Sequence, residues 1–203
     1  RVSAHIGTVY HAFTQRIAAD GLEQWSSSRI ASERDAIRHA LRSAGVLPSE
    51  LGEAVERVSD ALRTTLDDEK GRWILALRDD ARSEWAMLRY RDRRLMPAAI
   101  DRTFVHDGAR WIIDFKTGRL GVDEADVEEA AGGATLPDLI DRKRKQYAPQ
   151  LASYRDLLRG RGEQGDGNLP VRLALYFPEW PVGRRWQDIT EIVDALDAVA
   201  HAS

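Results

Sequence analysis

The chain has 203 residues, 43% of them hydrophobic, and a formal net charge of −3. This length predicts one domain with a sizeable core, and the nearly neutral charge means that any surface for nucleic acid has to be local. The sequence contains no cysteine, which excludes disulfides, thiolate zinc sites and cysteine-held iron–sulfur clusters and is compatible with a reducing cytoplasm. No apolar run is long enough to span a membrane. The sequence starts abruptly at Arg1, which indicates a piece of a longer protein. Processing or trimming would produce the same kind of start.

The first predicted element is an amphipathic helix over residues 4–19, because Val9, Phe13 and Ile17 recur at helical spacing. His11 lies at the edge of this apolar stripe. A single histidine on a helix is more often packed or solvated than a metal ligand, since a metal site needs several partners. On these residues alone, His11 stays an ordinary helical residue.

Helix-forming residues dominate the next part of the chain, and we expect helices over 29–44 and 49–66. We interpret residues 20–68 as a helical insertion or scaffold that carries no chemistry. Residues 70–77 are compatible with either a short helix or a strand. Residues 83–90 predict a strand that contains Glu84. The basic cluster that follows is either a solvated turn or a contact for phosphates; its members are Arg89, Arg91, Arg93 and Arg94.

Two further strands are predicted over 98–105 and 109–116, joined by a hairpin turn at His106-Asp107-Gly108. Pairing across this turn would bring Asp101 close to Asp114. Because side chains in a strand repeat every two residues, Asp114 and Lys116 share a face. Two carboxylates beside a lysine are suited to hold a divalent cation and activate water against a phosphodiester. The alternative is a surface hairpin with an ordinary Asp–Lys pair.

Residues 119–135 carry acids without a base past Arg119, so we expect a mobile, solvated loop with no catalytic role. The acids are Asp123, Glu124, Asp126, Glu128 and Glu129. Residues 136–158 then predict a helix, with a kink or a break near 148 because of Pro149. This helix carries the cationic run 142–145, and its spacing places Tyr147, Gln150 and Tyr154 on one face.

The C-terminal part predicts a buried strand over 171–177 and an amphipathic helix over 189–200. The segment Pro178–Arg185, with Trp180, and the nearby Trp186 suggest no function from the sequence.

Four motifs in this order resemble the RecB-like branch of the PD-(D/E)XK nucleases, which includes the nuclease domains of RecB and AddA helicase-nucleases. The first is G-x-x-x-H at Gly7–His11, and the second is I-D-R at 100–102. The third is I-I-D-F-K-T-G at 112–118, and the fourth is Y-x-x-Q-L-x-x-Y at 147–154. The sequence departs from the family at Ala98, where a glycine is usual.

The resemblance implies an α/β fold with a central mixed β-sheet flanked by helices, the restriction-endonuclease-like core, and an N-terminal helical elaboration. It implies a single domain over 1–203 with a catalytic core at 80–177. The metal, Mg²⁺ or Mn²⁺, would be held by His11, Asp101, Asp114 and the carbonyl of Phe115. Glu84 is a further candidate, because such proteins often carry a glutamate on that strand; a solvated glutamate is the alternative.

The same resemblance assigns the remaining site residues. Lys116 would position or deprotonate the attacking water and offset negative charge, and Gln150 and Tyr154 would orient Lys116 or the DNA. The DNA-binding candidates are Tyr147, Arg142, Lys143 and Arg102.

By resemblance, the chain is expected to be a metal-dependent deoxyribonuclease in the cytoplasm, acting as an exonuclease on single-stranded DNA. It would serve a helicase motor, in the same chain or a partner subunit, during end resection and recombinational repair. The G-x-x-x-x-G-K-[ST] motif of such motors does not occur in these residues. No iron–sulfur cluster and no membrane partner are expected.

Two alternatives remain from the sequence. One is an inactive nuclease fold that binds DNA or a partner protein; an acidic pocket would hinder a pure phosphate-binding module. The other is a nuclease of the CRISPR adaptation type, which typically holds an iron–sulfur cluster with four cysteines, and the absence of cysteine argues against it.

Overall fold

The computed structural model describes residues 2–91, 94–121, 126–127, 131–161 and 169–201. The chain divides into two compact units, which we call the helical unit and the sheet unit. The helical unit comprises Arg1–Asp79, Phe115–Gly118 and Tyr176–Arg185. The sheet unit comprises Asp80–Asp114, Arg119–Leu175 and Trp186–Ser203.

The helical unit is built from α-helices and a short 3₁₀ turn at Leu22–Gln24. The helices are α1 (Val2–Asp20), α2 (Ser27–Ser32), α3 (Arg34–Ser43), α4 (Leu51–Asp67) and α5 (Glu69–Leu75). Side chains cap two of them: Ser26 accepts the N–H of Arg29 at the start of α2, and Asp68 accepts the N–H of Gly71 at the start of α5. Such caps satisfy backbone donors that a helix start leaves without partners.

The core of the helical unit follows the apolar periodicity of its two longest helices. α1 buries Val9, Phe13 and Ile17, and α4 buries a similar stripe that includes Val55 and Leu62. The predicted helices over 4–19 and 49–66 are therefore confirmed. The 70–77 segment, which was compatible with helix or strand, contains the end of helix α5.

The predicted single helix over 29–44 is wrong in one respect, because α2 and α3 are separate helices that meet at Glu33. The backbone of Glu33 leaves the helical region, with φ −83° and ψ 1°. Arg16 of α1 donates two hydrogen bonds of 2.9 Å to the Glu33 carboxylate. A bidentate contact of this kind fixes the position of the junction.

The sheet unit is organised around a mixed sheet which, over the described residues, has five strands in the order β1-β2-β3-β4-β5. Antiparallel pairing joins β1, β2 and β3. β3 and β4 run parallel, since Arg110 donates its N–H to Pro170 and Lys116 donates to Tyr176, with both numbers rising together. The strands are β1 (Arg82–Arg91), β2 (Arg94–His106), β3 (Ala109–Phe115), β4 (Val171–Tyr176) and β5 (Trp186–Asp188).

Helices α6 (Leu136–Arg161) and α7 (Thr190–His201) complete the sheet unit. Pro149 lies within α6, so the predicted break near residue 148 does not occur. Pro149 is exposed while its neighbours Ala148 and Leu151 are fully buried. Packing on both sides of the proline therefore offsets the loss of one backbone hydrogen bond. No helix within the described ranges is both long and apolar enough to cross a membrane.

The predicted hairpin between β2 and β3 is confirmed. Asp107 and Gly108 both have positive φ angles, 48° and 70°, as a two-residue type I′ turn requires. The turn fixes the register, in which Arg102 pairs with Ile113. One further step along this register brings Asp101 opposite Asp114.

Candidate active site

Asp114 is a buried carboxylate near the end of the apolar strand β3. It is 1% exposed and follows Ile112 and Ile113, which are fully buried. Strand β3 places it there because these β-branched residues occupy the centre of the strand. Burial of a carboxylate is costly unless hydrogen-bond donors or a cation stabilise the charge.

Gln150 on α6 supplies a donor to this carboxylate. Its Nε2 lies 3.2 Å from Oδ1 of Asp114 and 2.7 Å from the hydroxyl of Tyr154. The amide nitrogen has two hydrogens, so it satisfies both acceptors at once. Gln150 and Tyr154 are four residues apart and therefore face the same way on the helix. The sequence predicted this shared face.

Glu84 and Asp101 form an acidic pair on neighbouring strands. Ser83 pairs with Arg102 and Trp85 with Ile100, so Glu84 takes the register position opposite Asp101. Their carboxylate oxygens approach within 4.8 Å. Asp101 is 8% exposed, and Glu84 is half-buried.

The backbone of Glu84 is strained. Its φ angle is 47°, in the left-handed region that costs a residue with a Cβ roughly 1–2 kcal/mol. Strain of this kind persists where the surroundings over-determine it and is often found at functional sites. It gives Glu84, which the sequence offered only as a further candidate, a second distinguishing feature.

Glu84, Asp101 and Asp114 thus occupy one row across β1, β2 and β3. Like charges directly opposite each other on adjacent strands are destabilising. A divalent cation relieves this repulsion, since carboxylate oxygens are its preferred ligands. The donor set therefore fits Mg²⁺ or Mn²⁺.

The residues directly after Asp114 belong to the helical unit, where contacts to their own backbone groups hold them. His11 Nε2 lies 3.1 Å from the carbonyl oxygen of Phe115, and the N–H of Lys116 donates to the carbonyl of Tyr176 at 2.9 Å. The Phe115 ring is buried and meets Tyr10 edge-on at 5.7 Å. The backbone on either side of the Phe115–Lys116 bond is thus fixed.

The G-x-x-x-H motif has a steric explanation in the helical unit. A Cβ on Gly7 would lie 3.1 Å from Oγ1 of Thr117, tighter than ordinary van der Waals contact. The glycine allows α1 to approach the segment that contains Lys116. His11, one helical turn later on the same face, then reaches the carbonyl of Phe115.

The predicted DNA-binding residues lie in less open positions than expected. Arg102 is 4% exposed and donates to Ser83 Oγ at 2.8 Å, so it lacks the exposure that a phosphate contact needs. Arg142 and Lys143 form ion pairs with Asp126, the latter at 3.3 Å. Tyr147 is half-buried.

The expectation of a solvated 119–135 loop is wrong for Asp126, which is fully buried. Its carboxylate also accepts the N–H of Gly121 at 2.9 Å. The basic run on α6 provides the reason, because an acid between two cations and an N–H donor is satisfied when buried. The other acids of this loop, at 123, 124, 128 and 129, lie outside the described residues, as does Arg93.

Trp180 contacts the segment that follows Lys116, and the sequence did not predict this contact. Its indole N–H donates to the carbonyl oxygen of Gly118 at 2.9 Å. Nothing in the spacing around Trp180 indicates such a partner 62 residues earlier, because the contact depends on how the chain returns after β4.

A family model described as the PD-(D/E)XK nuclease superfamily matches residues 1–201. A search of curated proteins finds no match.

Proposed function

Since the chain belongs to the PD-(D/E)XK nuclease superfamily, we propose that it hydrolyses phosphodiester bonds in DNA with a divalent cation, Mg²⁺ or Mn²⁺. The observation that carries the proposal is the row formed by Glu84, Asp101 and Asp114, which ends two residues before Lys116. The superfamily makes nuclease activity the expected reaction. The row supplies the acidic ligands that such a reaction needs.

Asp101, Asp114 and Glu84 are the proposed carboxylate ligands. The family motif assigns His11 and the Phe115 carbonyl to the same ion, and the two atoms that would bind it lie 3.1 Å apart. When bound, the cation supplies positive charge to the scissile phosphate and acidifies water.

The chain's own side chains supply the remaining chemistry. Lys116 Nζ positions the attacking water, accepts its proton when deprotonated and offsets charge on the phosphate when protonated. Gln150 orients the carboxylate of Asp114 by donating to its Oδ1, since a hydrogen bond of this kind fixes the direction in which a metal ligand points. Tyr154 fixes Gln150 through its hydroxyl.

The finer assignment is to the RecB-like branch: a cytoplasmic exonuclease domain that receives single-stranded DNA from a helicase motor during end resection and recombinational repair. The order and spacing of the four motifs support it. We propose three DNA contacts: Arg142, Lys143 and Tyr147. A phosphate of the DNA would replace Asp126 as the partner of the two basic side chains. Arg102 is not included, because it is buried.

The competing function is an inactive nuclease fold that binds DNA or a partner protein. A row of carboxylates repels phosphates and destabilises the sheet, so a binding module gains nothing from it. The row therefore favours catalysis over binding alone.

The test is degradation of end-labelled single-stranded DNA by the purified protein with Mg²⁺, Mn²⁺ or EDTA. Asp114→Ala and Lys116→Ala should both reduce metal-dependent cleavage to a small residual rate. Asp141→Ala and Lys145→Ala are matched controls, because this exposed pair on α6 lies outside the proposed site. Metal-independent DNA binding that survives both site substitutions, without cleavage by the wild type, would overturn the proposal and favour the binding module.

A further inference from the structure

The segment Phe177–Arg185, which we call the Trp180 loop, has no role in the chemistry described so far. We propose that Trp180 is a positioning residue for Lys116: its indole holds the carbonyl of Gly118 and so fixes the segment that follows the lysine. This inference rests on the proposed function of Lys116.

The indole ring of Trp180 is held in place by contacts other than its hydrogen bond to Gly118. Trp180 is 3% exposed, and its ring stacks on Phe177 with a centroid distance of 3.6 Å and an interplanar angle of 13°. Stacking and burial leave the ring little rotational freedom. A buried indole N–H needs an acceptor, and the carbonyl of Gly118 provides it at 2.9 Å.

The Trp180 loop is closed by its own backbone. Phe177 donates its N–H to the carbonyl of Arg185 at 2.9 Å, and Trp180 donates to the carbonyl of Phe177 at 3.2 Å. The guanidinium of Arg185 returns to the carbonyl of Trp180 at 3.1 Å. These bonds make the loop compact and bring its two ends together.

Two ion pairs connect the Trp180 loop to the helices of the same unit. Arg57 of α4 donates two hydrogen bonds of 2.9 Å to the carboxylate of Glu179. The side chains of this pair are only 13% and 8% exposed, and the hydrogen bond that Arg57 donates to Glu179 raises the pKa of Arg57. Arg185 donates to Asp68 at 3.2 Å. The loop is therefore anchored to the helical scaffold at both ends.

Gly118 supplies no side chain of its own to hold this segment. A Cβ built on Gly118 would meet no atom within 4 Å, so the position borders open space. Glycine also has the widest choice of backbone conformations. The bond from Trp180 thus holds the backbone at a position where the residue itself has no side chain to pack.

Lys116 lies between two fixed backbone points. Its own N–H is bound to the carbonyl of Tyr176, and the carbonyl of Gly118 is bound to Trp180. Releasing the second point gives the lysine backbone freedom without removing any charge. A misplacement of about 1 Å at a reacting group costs up to roughly 100-fold in rate.

The test is Trp180→Phe, which keeps an aromatic ring to stack on Phe177 but lacks the N–H. We expect kcat on single-stranded DNA to fall by about 10-fold, with KM and the metal concentration at half-maximal rate unchanged. Trp186→Phe is the matched control in the sheet unit and should leave kcat unchanged. A loss confined to KM, or an unchanged kcat, would overturn the proposal.

A double-mutant cycle tests whether Trp180 acts through Lys116. With residual cleavage measured under single-turnover conditions, Trp180→Phe should have little further effect once Lys116 is alanine, because the two substitutions share one mechanism. Full additivity would contradict the proposed link.

Amide hydrogen exchange separates this inference from the proposed nuclease function, since it needs no catalysis. Trp180→Phe should speed exchange of the Lys116 amide at equal global stability, and Trp186→Phe should not. Unchanged exchange would overturn the positioning role even in an active enzyme, whereas a wild type that fails to cleave DNA would sink only the nuclease proposal. If Trp180→Phe does not fold, Glu179→Gln loosens the Trp180 loop with the indole intact and should show the same pattern more weakly.

Discussion

The D-F-K-T-G segment is held by different kinds of contact in the two units. In the sheet unit, Asp114 is held by a side chain, the amide of Gln150. In the helical unit, contacts to the backbone hold Phe115, Lys116 and Gly118. Substitutions around Asp114 should therefore change the metal requirement, whereas substitutions that loosen the backbone contacts of the helical unit should act through geometry alone.

The largest effect is expected for Asp114→Asn, which removes the charge and keeps the shape. Cleavage should fall by on the order of 10³-fold, the size of loss seen when a charge-stabilising group is removed from an active site. The melting temperature in EDTA should rise, because repulsion within the acidic row falls. Single-turnover cleavage and thermal unfolding measure the two quantities, with Asp141→Asn as control. A variant that is both active and less stable would remove Asp114 from the metal site.

Gln150→Leu comes next, because it leaves every carboxylate in place and removes the amide that donates to Asp114 and to Tyr154. Groups that orient metal ligands typically contribute 10- to 100-fold to affinity or activity. We expect a loss within that range, together with a higher Mg²⁺ concentration at half-maximal rate. Tyr154→Phe removes only the hydroxyl bonded to Gln150 and should cause a smaller shift in the same direction. If excess Mg²⁺ restored neither variant, Gln150 would act on the DNA or on Lys116 instead.

In the helical unit, Gly7→Ala tests geometry alone, since it changes no charge. The added methyl would meet Thr117 Oγ1 at 3.1 Å, so either α1 or the Lys116 segment has to shift. We expect kcat to fall by about 10-fold, by the same misplacement of reacting groups, with the metal requirement unchanged. Alanine favours the helix by up to about 1 kcal/mol over glycine. The free energy of unfolding should therefore not fall along with kcat. Thr117→Ala in the same chain removes the clash and should restore the rate; failure of this rescue would place the effect elsewhere.

The sequence predicted what short-range patterns determine. The hairpin at Asp107-Gly108 set the register of Asp101 and Asp114, because a two-residue turn allows a single pairing. Helical spacing placed Gln150 and Tyr154 together, and the family motif singled out His11, whose Nε2 lies 3.1 Å from the carbonyl oxygen of Phe115. The superfamily and the mixed α/β fold were likewise accessible from these patterns.

Contacts between distant parts of the chain were not accessible in this way. In the sequence, Asp126 is one of several acidic residues in its segment, and Arg102 is a basic residue next to Asp101. Neither pattern indicates that the side chain is buried. Burial of either residue depends on partners brought close only by folding. The hydrogen bond from Trp180 to Gly118 likewise joins residues that are distant in the sequence. The register of the sheet does not predict it.

The smallest effects are expected in the pH dependence of stability, where the two units should respond at opposite ends of the scale. In the helical unit, burial raises the pKa of the Tyr176 hydroxyl, with nearby Tyr10 and Asp68 adding to the effect. Stability from the neutral phenol is intact below about pH 10, the ordinary tyrosine pKa. It is lost as pH rises toward the folded value, because only the unfolded chain ionises there. Tyr176→Phe should flatten this alkaline decline in the melting temperature.

In the sheet unit, burial would raise the pKa of Asp188, but hydrogen bonds from Arg172 and Thr190 outweigh it and the net pKa is lowered. The stability it contributes is therefore present above the ordinary aspartate pKa of about 4 and is lost as pH falls through the folded value. Asp188 is only half-buried, so solvent screening limits the effect to about 1 kcal/mol or less. Asp188→Asn should lower the melting temperature at pH 7, and its difference from the wild type should shrink below pH 4. A difference that stayed constant down to pH 2 would show that the Asp188 ion pair contributes packing rather than charge.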